Sequence, residues 1–187
     1  MEFNEKEIKG VYEIQLNPHC DDRGFFMRTY DEKIFKEHNL NREWAQENHS
    51  LSKFKHTVRG IHFQFKPDTE TKLLRVITGE IFFVVVDLRK NSSTFGKWIS
   101  VVLSGEKKNL LYIPRGCVPG MCTLTDNCHL AYKVDNYYAS NNEAVLKWND
   151  PDIGIYWPTN NPAVISDRDS KGMSFKEFVE KHGGLEQ

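Results

Sequence analysis

The run Val58-Arg59-Gly60-Ile61-His62-Phe63-Gln64, with Lys72 shortly after it, sets one imidazole among strand-favouring residues and places two cations near it. A histidine fixed on a rigid strand moves protons near neutral pH, because its ordinary pKa is ~6.5. Cations beside it can hold an anionic ligand or a developing enolate. Together they point to an enzyme acting on a small molecule rather than to a structural module.

The elements that must position this histidine read mainly as strands. Residues 73–77, apolar but for Arg75, end at the turn signal Thr78-Gly79-Glu80. The run 81–88 is β-branched and aromatic, and too apolar for an exposed strand. Runs 98–103, 109–113 and 130–134 follow at short intervals, broken by Gly, Pro, Asn and Ser. This spacing predicts a β-sandwich or barrel. Helices are expected only at 32–38 and 174–181, the second opened by a capping box of Ser174 and Glu177. At 187 residues, with no repeat, linker or low-complexity tract, residues 1–187 read as one domain.

Basic and acidic residues number 25 and 26 and are mixed along the chain, for a net charge of -1. That gives no electrostatic case for nucleic acid or an anionic membrane as partner. No apolar run approaches the ~20 residues of a membrane span. The first residues carry no cationic start followed by an apolar core, so no signal peptide is read and the cytoplasm is expected. Cys20, Cys117, Cys122 and Cys128 make no CxxC or zinc signature and are expected to be free thiols. Cys117 and Cys122 read as flanking a Gly-Met turn, where a disulfide is conceivable.

Motif blocks then carry a resemblance. They are Asp22-Arg23-Gly24-Phe25-Phe26, Gln46-Glu47-Asn48-His49-Ser50, Arg59-Gly60-Ile61-His62-Phe63-Gln64, Lys72-Leu73-Leu74-Arg75-Val76 and Val86-Asp87-Leu88-Arg89. Ser93-Thr94-Phe95-Gly96-Lys97-Trp98, Ile113-Pro114-Arg115-Gly116, Tyr132-Lys133, Tyr137-Tyr138, Trp148-Asn149-Asp150-Pro151 and Ser166-Asp167-Arg168-Asp169 complete the set. In type and order the chain resembles the dTDP-4-dehydrorhamnose 3,5-epimerase family. The resemblance implies a cupin-type jelly roll with a few short helices. It implies a homodimer with shared active sites, and an epimerase that uses no metal and no cofactor. Its substrate would be a 4-keto sugar linked to a nucleoside diphosphate.

Such a reaction has definite needs. The ketone at C4 acidifies the hydrogens on C3 and C5. A base removes one, the charge rests on O4 as an enolate, and a proton returned to the other face inverts the carbon. By resemblance His62 is the base, Asp169 orients it, Tyr132 is the proton donor and Lys72 is the cation near O4. Arg59 fits the diphosphate, since its fork matches phosphate oxygens. Arg23 and Phe26 match residues that reach the nucleotide from the partner subunit. Gln46, Asn48 and Tyr138 match further contacts.

Two positions depart from the family pattern. Pro119 stands where the family carries a second active-site histidine, and Arg28 where a glutamate is common. Both are expected at the substrate and open a single-centre epimerase, or one using a CDP- or GDP-linked sugar. A sugar-nucleotide-binding protein without turnover is a more distant alternative. A metal-dependent cupin would need a second ligand where His62-Phe63-Gln64 has glutamine. His129 is an added imidazole on a predicted strand, as readily structural as functional.

Overall fold

A computed structural model describes residues 1–186. In chain order the strands are β1 (Glu2–Glu5), β2 (Tyr12–Gln15), β3 (His19–Asp21), β4 (Gly24–Phe26), β5 (Gln46–Ser52), β6 (Val58–Arg59) and β7 (Ile61–Gln64). They continue as β8 (Lys72–Thr78), β9 (Glu80–Asp87), β10 (Trp98–Ser104), β11 (Asn109–Ile113), β12 (Cys117–Thr123), β13 (Cys128–Val134) and β14 (Glu143–Leu146). The helices are α1 (Glu32–Glu37), α2 (Asp167–Ser170) and α3 (Phe175–His182).

Two sheets make the sandwich that the sequence predicts. The larger runs β1-β2-β11-β8-β13-β5 and the smaller β10-β9-β12-β6. Leu74, Val76, Leu111, Ile113 and Leu130 from the larger meet Ile81, Phe83, Val85, Val101, Leu103 and Met121 from the smaller in one buried cluster. Each such side chain contributes about 1.5–3 kcal/mol on leaving water. Strand β9 shows why its sequence does not alternate. Ile81, Phe83 and Val85 face this core, while Val86 and the following Leu88 enter a second cluster with Ile61, Phe63, Leu146 and Phe178. A strand covered on both faces has no polar side to display.

All five predicted strands form within a residue or two of their expected bounds. Helix α1 ends at Glu37, with His38 as its C-cap. Helix α3 is N-capped by Ser174, whose capping box with Glu177 is present, and C-capped by Gly183 with φ 66°. Strand β12 is a correction. The segment from Cys117 to Cys122, read as a turn, is extended and pairs with β9 along its length. Proline is tolerated there because β6 pairs only with Met121 and Cys122, leaving Pro119 with β9 as its single strand neighbour. All four cysteines are free, and only Cys20 is exposed.

Past β9 the Asp87-Leu88-Arg89 block is a brace. Buried Asp87 accepts from Arg89 Nε at 2.9 Å and Nη2 at 2.8 Å, from Ser92 Oγ at 2.6 Å and from Thr94 Oγ1 at 2.5 Å. Burial alone would raise its pKa, but these donors outweigh it and hold it at about 2. No helix among the described residues is long and apolar enough to cross a membrane.

Candidate active site

Strand register decides which side chains meet. On β13, Tyr132 lies opposite Leu74 of β8 and Asn48 of β5, while Val134 lies opposite Lys72 and Gln46. Side chains two apart on a strand share a face. Gln46, Asn48, Ser50, Lys72, Leu74, Leu130 and Tyr132 therefore line the inner side of the larger sheet. The short pair β7–β14 supplies the rest. Val145 lies opposite His62 and Glu143 opposite Gln64, so His62, Gln64 and Glu143 share one face.

Two adjoining cavities open there, of about 200 Å³ and about 330 Å³, and His62, Lys72 and Tyr132 line both. The smaller adds Arg59 and an apolar wall that includes Leu74, Phe83, Pro119, Met121 and Leu130. The larger adds Gln46, Asn48, Glu70, Tyr138 and Glu143. Among the described residues no three His, Cys, Asp or Glu side chains are grouped to hold a metal ion. Gln64, in the second ligand place, spends its amide on the chain itself. Its Nε2 donates to Asp68 O at 2.8 Å and Tyr137 O at 3.2 Å, and its Oε1 accepts from Ala139 N at 2.6 Å.

His62 is held from two sides. Its Nε2 meets Asp169 Oδ1, and its Nδ1 lies 3.5 Å from Glu143 Oε1. Helix α2 delivers Asp169: Ser166 caps the helix by accepting from Asp169 N at 3.1 Å. Burial pushes the Asp169 carboxyl up. The hydrogen bond to His62, the charge of His62 and donors from Gly60 and Ser166 outweigh that, so its pKa falls below the ordinary value. The carboxylate is thus ionised at neutral pH and can fix the imidazole tautomer.

The proton-donor side is equally defined. The Lys72 ammonium contacts the Glu70 carboxylate and sits 5.9 Å from the centre of the Tyr132 ring. Burial raises the Tyr132 pKa first, and the charges of Glu70 and Glu143 add to it against Arg59. The phenol is therefore protonated across the neutral range. Arg59 is anchored through Nε to Ser52 Oγ and through Nη2 to Leu51 O, both at 3.3 Å.

Of the residues singled out from sequence, His62, Lys72, Tyr132, Asp169, Arg59, Gln46, Asn48, Pro119 and Tyr138 gather at this place. The Tyr138 hydroxyl donates to Glu143 Oε2 at 2.8 Å. Arg23, Phe26 and Arg28 line neither cavity. Arg23 pairs with Asp21, Phe26 is 65% exposed on the β3–β4 hairpin, and Arg28 lies 3.4 Å from Asp31. His129 lies outside the cavities too, its Nδ1 2.9 Å from His49 Nε2. Glu70, Glu143 and Arg168 escape sequence reasoning. Arg168 pairs with Glu143, and that bond raises its pKa. It stands inside the block containing Asp169, and Glu70 lies two residues before Lys72, so both had a signal. Glu143, on a four-residue strand, had none.

The model of the dTDP-4-dehydrorhamnose 3,5-epimerase family matches residues 5–177. A curated dTDP-4-dehydrorhamnose 3,5-epimerase of Shigella flexneri is 42% identical over 170 residues, covering 90% of this chain and 93% of that protein. A dTDP-6-deoxy-D-glucose-3,5-epimerase of Legionella pneumophila, solved with dTDP-4-keto-L-rhamnose, superposes with a TM-score of 0.88 at 33% identity, covering 92% of each chain. A 3'-monoepimerase of Streptomyces bikiniensis, solved with dTDP-quinovose, superposes at 0.89 with 29% identity, covering 98% of this chain and 92% of that one.

Proposed function

Because the chain belongs to the dTDP-4-dehydrorhamnose 3,5-epimerase family, and is with it an isomerase of a nucleotide-linked 4-keto sugar, we propose that His62 removes the proton next to the ketone and Tyr132 returns one to the opposite face. The observation that carries this reading is the pair of walls around one space. His62, held by Asp169, comes from β7, while Tyr132 and Lys72 come from the larger sheet, and all three line the same two cavities.

The steps balance without a redox group. His62 Nε2 is engaged by Asp169, so Nδ1, 3.5 Å from Glu143 Oε1, is the nitrogen that takes the proton. The C–H pair of electrons moves into the ring and onto O4, and the Lys72 ammonium stabilises that oxygen. Tyr132 gives its proton to carbon, and solvent reprotonates the phenolate while His62 loses its proton. Arg59 meets the diphosphate, and Gln46, Asn48 and Tyr138 hold the nucleotide end. The working unit is residues 1–187 as one catalytic domain in the cytoplasm.

The same reading makes the protein a homodimer with shared sites. Every residue of β3 and β4 is exposed, and an isolated two-stranded ribbon is marginal in water. A partner subunit covers this hairpin, and Arg23 and Phe26 reach the partner's nucleotide site. Arginine at 28 suits an anionic ligand better than the usual glutamate.

The reading is tested by incubating the protein with dTDP-4-keto-6-deoxyglucose in deuterium oxide. Deuterium at C3 or C5 with inversion supports it, and substrate recovered unlabelled refutes it. A second reading, inversion at one carbon only, rests on Pro119, whose side chain offers no hydrogen bond to the cavity it lines. Label at one carbon only selects it.

A further inference from the structure

Glu70 is a partly buried charge that the proposed reaction does not use. Its side chain is 14% exposed, beside Lys72 at 15%, and it lines the larger cavity with His62, Tyr132 and Glu143. The segment carrying it is braced. Asn136 Nδ2 donates to Pro67 O at 3.1 Å and Thr69 O at 3.2 Å. Asn142 Nδ2 donates to Phe65 O and Asp68 Oδ2, both at 2.8 Å, and Thr71 N donates to Asp135 Oδ1 at 2.6 Å. So many bonds on a seven-residue connection hold the Glu70 carboxylate in the site rather than leaving it to solvent.

We propose that Glu70 is a positioning residue: its carboxylate fixes the Lys72 ammonium across the Tyr132 ring and sets the charge of the seat the sugar takes. The proposal rests on the reading of Lys72 and Tyr132 given above. An unpaired lysine there would favour the phenolate of Tyr132 and draw any anion into the seat. With Glu70 beside it, the pair is neutral, the phenol keeps its proton, and the seat suits an uncharged ring over one bearing a carboxylate. The other charged or titratable side chains that line these cavities with Tyr132 are Arg59 from β6, His62 from β7 and Glu143 from β14, and among the described residues no ion pair ties them to Glu70.

The test reads Tyr132 directly, without substrate. Protein labelled with carbon-13 at the tyrosine ring is titrated by NMR, the Tyr132 signal being assigned by its loss in Tyr132→Phe. In Glu70→Gln, which keeps the shape and loses the charge, Tyr132 is expected to ionise about one pH unit lower than in the wild type. Glu70→Asp, which keeps the charge, should stay near the wild type, and Lys72→Met should move Tyr132 the other way. In turnover assays the alkaline limb of kcat/KM should move down with Glu70→Gln. Tyr132 ionising in Glu70→Gln as it does in the wild type overturns the proposal. The expected titrations in a protein that labels no sugar leave the placement standing and refute the functional reading instead.

Discussion

Gly60 leaves open the space that Asp169 fills. A Cβ at position 60 would lie 3.2 Å from both Cβ and Oδ1 of Asp169. The backbone of Gly60 also helps hold the Asp169 carboxylate ionised. A side chain here presses on the residue that orients His62. Gly60→Ala should therefore lower kcat by about 10- to 100-fold, as expected for loosening a supporting contact. Circular dichroism should show the fold retained. A wild-type rate would mean that Asp169 tolerates displacement.

Tyr132→Phe removes the proton donor and leaves the base. The variant should exchange deuterium at the face where His62 works while losing inversion. Proton NMR of the sugar separates the two outcomes. Normal inversion by Tyr132→Phe would place the acid elsewhere.

Asp87 carries a prediction about stability rather than turnover. Its folded pKa of about 2 lies below the ordinary 3.8. A depressed carboxyl stabilises the fold above its unfolded pKa, and that stability is lost as pH falls through the folded value. That stability amounts to about 2 kcal/mol. Acid unfolding followed from pH ~5 down to ~2 should be shallower in Asp87→Asn, which should also be less stable at pH ~7 because Arg89 is left without its carboxylate. Equal pH slopes in the two proteins would contradict the brace.

How much of this was legible in the chain depends on the kind of signal each part leaves. The apolar run at 81–88 and the β-branched stretches around it announce the sandwich, because a strand buried on both faces has one composition. The Ser174–Glu177 box marks a helix start by spacing alone. Strand β12 hides because Pro119 and Gly120 are turn residues by type, and only the missing strand partner beside Pro119 lets the chain stay extended. Strand β5, mostly polar and exposed on alternate residues, gives little apolar contrast. His62, Lys72, Tyr132 and Asp169 were found by motif, yet their meeting needed register: Tyr132 and Lys72 are diagonal neighbours across β13 and β8. Glu143 reaches His62 only because β14 pairs with β7, a pairing no local pattern records.

The exposed β3–β4 hairpin yields a test of shared sites. An Arg23→Ala protein mixed with a His62→Ala protein should regain part of the lost activity through heterodimers. Each heterodimer would hold one site with neither change. Absence of recovery after proven subunit exchange would assign Arg23 to another role.

The central claim is that His62 Nδ1 removes the proton. The most direct measurement is deuterium incorporation into the dTDP-linked 4-keto sugar by His62→Ala, with folding and nucleotide binding verified beside the wild type. The variant should lose label at every carbon the wild type labels, by ~100- to 10,000-fold in rate, the usual worth of a positioned base. Wild-type labelling by folded, ligand-binding His62→Ala would contradict the account.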